Sequence, residues 1–522
     1  MHQNDLDKPL LKLSPGDSWT IRDSLMHLLV LGTTGSGKSS TTMKYTSLAM
    51  LKAGYGCLFC IAKPEDAVAI KRLCHQAGRM PSVMEITASE GEFNILAWEL
   101  VRTGNINQVT DLLDHVIDMV RNSGPSQGKL GDEFWSASKT AMLRATIPVV
   151  YCATNNVLIE DVLAFIRSAP SNPEQMKDPD WKRSSAFFRL FSLAALRMET
   201  EDVPGFDDAA AARAMDYWRE FSSLDRTAGN IRVTLTTALS RFQNGLLQRM
   251  FCGGISIVPE LLFHGAVLLL NFPVQVHGED AAIGQKIWKY CAQRAFLSRN
   301  ALDKRQSQAP IAIIADEAHN FLYRDAEFMA QCRSSLVACV FATQSIPTVR
   351  AVIGGDNAHD KADHLISAFN TVVLHSSACP TTNDWFSRKI GKSLQWRGNF
   401  SEGHGDSRNY GMSMNEGRNW GSSSQSGGSS TSSNNGGSAG SSWSIGTSNG
   451  GSDGYGRTRG AGTSTNNSEG GSQTMDFMVE AGDLGRMLET GGKSRRVSSF
   501  WYQAGRRFAA TGSNLLLAEY RQ

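Results

Sequence analysis

The sequence predicts an α/β fold with a mainly parallel sheet, an inserted all-α domain and a long flexible Gly/Ser-rich loop. Three observations predict it. Short, near-continuously apolar segments alternate with helical patterns in both halves of the chain, as suits parallel strands covered on both faces. Between them, residues 101–228 keep helical periodicity alone. Finally, 39 of the 73 residues from 401 to 473 are Gly or Ser, which leaves too little apolar surface to offset the entropy of ordering.

The elements follow in order. His27–Leu31 reads as a strand, Ser39–Lys52 as a helix and Gly56–Ile61 as a second strand. A short helix over Ala67–Ala77 and a strand over Val83–Ile86 complete a first part, residues 1–100. In the helical insert, Val109, Leu112, Leu113, Val116, Ile117 and Val120 recur at three- and four-residue spacing. Phe134–Val150 and Val157–Ile166 repeat that pattern. Strand character returns over residues 229–400: Gly265–Phe272, then a helix near Gly284–Leu297, then Ile311–Ala315, Val337–Ala342 and Thr371–Leu374. The Gly/Ser-rich segment, 401–473, is expected as a surface loop. Its sparse Tyr410, Trp420, Trp443 and Tyr455 and its arginines leave a nucleic-acid or partner contact open. Residues 474–522 supply a last strand, Arg496–Tyr502, and a basic tail.

Bulk properties narrow the classes. The chain has 522 residues and a formal charge of +2, so composition does not announce nucleic acid. No basic, apolar leader follows Met1, and no run approaches the roughly 20 apolar residues of a membrane span. Nine cysteines without regular spacing argue for a reducing compartment. Cys57 and Cys60 spell C-x-x-C inside an apolar run, with no second pair to complete a zinc site, and read as core residues.

Chemistry enters at Gly32-Thr33-Thr34-Gly35-Ser36-Gly37-Lys38-Ser39-Ser40, directly after an apolar strand. This is the phosphate-binding loop G-x-x-x-x-G-K-[ST] in its required context. Glycines let backbone N–H groups turn inward around phosphates, and the helix behind adds its positive dipole end. Lys38 is placed for the β/γ-phosphates and the Ser39 hydroxyl for Mg²⁺, so ATP with Mg²⁺ is the expected ligand.

A second strand, Ile311–Ala315, ends in Asp316-Glu317. An acid beside Ser39 at the metal and an acid that polarises the attacking water are what nucleotide hydrolysis requires, and Asp316 and Glu317 fill those roles. The bland alternative is a helix cap. Asp316-Glu317-Ala318-His319 also spells DEAH, but Lys38 and Asp316 lie 278 residues apart and the arginine-rich motif of DEAH helicases is missing. Val337–Ala342 then runs into Thr343-Gln344-Ser345, and Arg333 lies eleven residues before Gln344.

That arrangement resembles the RecA-like, FtsK/HerA-related translocases. In them the glutamine, here Gln344, lies between nucleotide and substrate. Arg333 resembles the arginine finger that such rings insert into the neighbouring subunit's site; a solvated helix-end arginine is the other reading. Within that group the chain looks most like the conjugative coupling proteins, the TraG/TraD class of type IV secretion ATPases. Phe93-Asn94-Ile95-Leu96 resembles the segment before their inserted domain, and Phe134-Trp135 begins a similar helix. Gly265–Pro273, Thr382-Asn383-Asp384, Ile390-Gly391 and Gly482-Asp483-Leu484 fit their later segments.

The resemblance implies a RecA-like P-loop fold and a homohexamer that drives single-stranded or duplex DNA through a channel. A relaxase and a separate membrane or secretion-channel component are the implied partners. Three departures stand out. The phosphate loop comes too early for the transmembrane helices with which most such proteins begin, so a cytoplasmic chain recruited to the membrane by a partner is expected. Ala62-Lys63-Pro64-Glu65-Asp66 replaces an Asp-Pro-x-Gly-Asp/Glu pattern, and the Gly/Ser-rich segment is far longer than the loop it replaces. Two further motor readings stay open: a receptor passing protein substrates to a secretion machine, and a soluble HerA-like DNA motor. A nucleotide-gated module without hydrolysis has no need of Glu317.

Overall fold

The computed structural model describes residues 6–121, 132–223, 226–299, 309–355, 357–412 and 457–522. Its strands are β1 (Pro9–Ser14), β2 (Asp17–Thr20), β3 (Leu28–Leu31), β4 (Gly56–Cys60), β5 (Val83–Thr87), β6 (Val267–Asn271), β7 (Ile311–Ala315), β8 (Val337–Thr343), β9 (Thr371–Leu374), β10 (Lys392–Met412), β11 (Arg457–Phe477), β12 (Thr490–Gly491), β13 (Arg496–Gln503) and β14 (Leu515–Arg521). Two units result: residues 1–386 with 481–522, and residues 387–480.

The first unit is built on a ten-stranded sheet in the order β12-β13-β9-β3-β8-β7-β4-β6-β5, with β14 paired to β13. From β9 to β5 every pairing is parallel. β13 joins β9 antiparallel, as do β12 and β14 to β13. Every residue of β3, β4, β7 and β8 is buried, which explains their unbroken apolar sequences. Cys57 and Cys60 are buried in β4, and no group of three or more metal-ligating His, Cys, Asp or Glu occurs among the described residues. Parallel neighbours need crossovers, and the segment after β3 passes over β8 and β7 to reach β4. That passage lays the residues following β3 above the carboxyl end of β7.

Between β5 and β6 the described chain is helical from Ile95 to Phe251. Asn94 caps the first of these helices, its Oδ1 accepting from the Ala97 N–H at 3.1 Å. Phe93 donates its N–H to the Met250 carbonyl at 2.7 Å, so the stretch leaves and re-enters the sheet layer at neighbouring points. In Ile106–Arg121 the six residues Val109, Leu112, Leu113, Val116, Ile117 and Val120 are all buried. Among the described residues no single helix is long and apolar enough to cross a membrane.

A buried ion pair ties the helix Val274–Ser298 to the chain beyond β7. Lys289 donates to Asp325, and both side chains are 1 % exposed. Gln293 Nε2 (2.8 Å) and the Tyr323 N–H (2.9 Å) complete the carboxylate's partners. Asp325→Ala leaves the Lys289 ammonium buried without its counter-charge. The expected loss is about 3–5 kcal/mol, read as a lower denaturation midpoint.

The second unit contains β10 and β11, paired antiparallel in unbroken register from Lys392↔Phe477 to Met412↔Arg457. This corrects the expectation of a loop at 401–412 and 457–473. Polar, glycine-rich chain satisfies its backbone N–H and C=O groups by pairing with itself, which needs no apolar face. Residues 413–456, with Trp420, Trp443 and Tyr455, lie outside the described residues.

Candidate nucleotide site

The phosphate loop leaves the buried end of β3 at Gly32. A Cβ there would meet Ser36 Oγ at 2.7 Å and His375 Cβ at 2.8 Å, so only glycine fits. Gly37 is left-handed (φ +91°), and a Cβ on it would meet Val497 Cγ1 at 2.6 Å. The Thr33 N–H (3.0 Å) and Oγ1 (3.1 Å) both donate to the Ser376 carbonyl just beyond β9. The first turn after the loop, Ser39–Met43, is a π-helix that passes into the α-helix Lys44–Lys52. Thr34, Gly35 and Ser36 form the loop's outer turn; Ser36 Oγ is buried with no hydrogen-bond partner among the described residues.

Lys38 is only 5 % exposed. Its ammonium donates to the Gly32 (2.5 Å) and Thr33 (3.1 Å) carbonyls. Burial lowers its pKa below the usual lysine value, while the nearby Asp316 and Glu317 charges oppose that shift. Beneath the loop, His375 is pushed down to about 3, first by burial and then by Lys38, and is neutral. Its Nε2 shares a 2.8 Å hydrogen bond with Thr42 Oγ1.

The acid pair arrives from the other side. Ser39 Oγ donates to Asp316 Oδ2, although 277 residues separate them. Asp316 Oδ1 accepts from the Glu317 N–H at 3.0 Å, and Glu317 itself is left-handed (φ +53°). The Glu317 side chain is 13 % exposed. Gln344 Nε2, just past the end of β8, lies 3.5 Å from both Glu317 oxygens. His319 Nδ1 is 3.6 Å from Oε2, and Lys63 Nζ is 4.0 Å from Oε1. Burial lowers the His319 pKa, against the pull of Glu317.

Three neighbours have no signal of their own in the sequence pattern. Lys63 faces Glu317. Asp66 caps the helix Pro64–Gln76 by accepting from the Lys63 N–H at 3.1 Å. Burial, then the charge of Asp316, pushes the Asp66 carboxyl up to about 6. It borders a cavity of about 400 Å³ together with Ser39, Asp316, Phe59 and Cys60. His375 is the third. His319, by contrast, was visible as the last letter of Asp316-Glu317-Ala318-His319.

The structure thus gathers the loop, Lys38, Ser39, Asp316, Glu317 and Gln344 at one edge of the sheet. Arg333 is not among them. It is exposed in the turn Cys332–Ser335 before β8, at the opposite end of that strand from Gln344. Seven strand residues at about 3.3 Å each hold it some 20 Å from this chain's own loop. The residues present fit Mg²⁺ and a nucleoside triphosphate: a glycine cradle with an unpartnered buried hydroxyl, one buried cation, and a hydroxyl–carboxylate pair.

The family described as the TraM recognition site of TraD and TraG matches residues 310–439, a span that opens on β7 and contains Glu317 and Gln344. No curated protein is similar to the chain in sequence. Among solved structures, the bacterial conjugative coupling protein TrwBdeltaN70 in its unbound monoclinic form is 12 % identical with a TM-score of 0.52. That match covers 96 % of this chain and 85 % of the other. The trigonal form in complex with sulphate is 14 % identical, with a TM-score of 0.50 over 76 % and 81 % of the two chains. The chain thus carries a segment similar to the TraM recognition site of TraD and TraG, on a fold similar to that of a conjugative coupling protein.

Proposed function

We propose that this chain is an ATP-hydrolysing motor that moves DNA, acting as a ring of identical subunits. The observation that carries this reading is Glu317. Its carboxylate directly follows the Ser39–Asp316 pair in the chain, on a left-handed backbone, and Gln344 Nε2 approaches it at 3.5 Å. A module that only binds nucleotide gains nothing from a base held in that position.

The roles follow from the geometry. Loop N–H groups and Lys38 bind and orient the phosphates, and Ser39 with Asp316 holds the metal. Mg²⁺ bound there supplies charge neutralisation of the phosphate oxygens and a template for in-line attack. Glu317 accepts the proton of the attacking water. Gln344, at the tip of β8, couples the state of that carboxylate to the chain beyond it. Lys63 offers Glu317 a partial counter-charge at 4.0 Å. Asp66 adds a second carboxyl beside the metal pair.

Arg333 is the residue this site lacks and a neighbouring copy supplies. Arg333→Ala is expected to lower turnover by about 10³-fold with nucleotide affinity intact. Mixing it with Lys38→Ala subunits restores part of the rate, because each intact site then meets an intact finger. A chain that stays monomeric in ATP yet hydrolyses normally rules the role out. For the motor as a whole, the decisive measurement is the ATPase rate with and without DNA, alongside oligomer size in ATP. A DNA motor shows stimulation that falls steeply with salt. Stimulation by a protein substrate alone would favour the receptor reading.

A further inference from the structure

The sheet order gives the phosphate loop a direction. Ser39 and the acid pair lie on the β8–β7 side of β3, which fixes the metal and terminal-phosphate end there. The nucleoside end of a bound nucleotide then faces the other side of β3, where β9, β13 and β14 lie. The next residue, Ser40, points that way. Its Oγ accepts from Gln522 Nε2 at 2.8 Å, and the Gln522 N–H donates to the Arg495 carbonyl at 2.9 Å.

This corner is well anchored. Val497 packs on Gly37 of the loop. Tyr520 stacks on Tyr45 with ring centroids 5.8 Å apart, and Tyr45 Oη donates to the Arg521 carbonyl at 3.0 Å. The turn between β12 and β13 carries Gly491 (φ +98°), Gly492 (φ +65°) and Arg495 (φ +54°). That sequence of left-handed residues brings Arg495 beside Gln522. Arg495 and Arg496 are exposed and, among the described residues, carry no ion pair.

We propose that Gln522 and Arg495 form the nucleoside subsite: the guanidinium covers the face of the base and the Gln522 amide hydrogen-bonds the ribose or base edge. A planar cation stacks on an aromatic base, and a primary amide offers both donor and acceptor. This rests on the nucleotide-site reading above and adds which part of the ligand these residues see. Neither belongs to the phosphate or metal machinery, so the two halves of the ligand are separable.

The experiment titrates the full chain, with Mg²⁺, against a non-hydrolysable ATP analogue and against inorganic tripolyphosphate. Arg495→Ala and Gln522→Ala are each expected to weaken the analogue by about tenfold and to leave tripolyphosphate within about twofold of wild type. Retained tripolyphosphate binding shows that the loop is intact in each variant. Unchanged analogue affinity, or an equal loss for both ligands, overturns the subsite. A wild-type chain that binds neither ligand overturns the nucleotide site itself, and the subsite with it.

Discussion

Glu317→Gln is expected to lower ATP turnover by about 10²–10⁴-fold while leaving nucleotide affinity within about twofold. The amide keeps the carboxylate's shape, so the contacts with Gln344 and the left-handed turn at Glu317 survive. What is lost is the ability to accept a proton from water. Ground-state binding depends on Lys38, the loop N–H groups and the Ser39–Asp316 pair, none of which the substitution removes. Phosphate release under saturating ATP, together with a nucleotide titration, reads the two quantities separately. Wild-type turnover in this variant removes Glu317 from catalysis, and the motor proposal with it. Loss of binding in parallel with turnover assigns it a structural role instead.

Lys38→Ala is expected to abolish measurable nucleotide binding, with turnover lower by at least about 10²–10³-fold. The ammonium is the one cation among the described residues that the loop itself encloses, bonded to the Gly32 and Thr33 carbonyls. A buried cation acts on phosphate at short range and low dielectric, where it is worth far more than an exposed one. The variant is expected to fold, because alanine leaves no buried charge and the loop retains its tie to Ser376. Thermal unfolding separates a folded, non-binding chain from a damaged one. Retained ATP binding at wild-type affinity contradicts the assignment.

Much of this site is legible in the sequence. A glycine pattern after an apolar strand specifies a loop whose backbone amides face inward, wherever that strand sits. Asp316-Glu317 at the end of Ile311–Ala315 likewise needs only the strand's carboxyl end to be exposed. The buried stripe of Ile106–Arg121 follows from 3.6-residue periodicity. Lys63 and Asp66 were not legible, because their roles depend on which strand lies beside β4: β7 does, and this brings Glu317 within 4.0 Å of Lys63. His375 is equally hidden, since only the β3–β9 pairing slides it beneath Gly32. The β10–β11 pairing escaped composition because backbone hydrogen bonding does not depend on side-chain polarity.

The sequence by itself determined the groups on offer: a glycine-rich loop, one lysine, a hydroxyl and two carboxylates. Each is set by residue type and by spacing within a few residues, which local geometry converts directly into placement. Only the tertiary structure decided that these groups meet. Ser39 and Asp316 come into hydrogen-bond contact across 277 residues because the crossover after β3 passes over β8 to the end of β7. The same sheet order sends Gln522 and Arg495 to the loop's other side and leaves Arg333 at the far edge. Strand order is fixed by which buried faces pack together, and no short stretch of sequence carries that information.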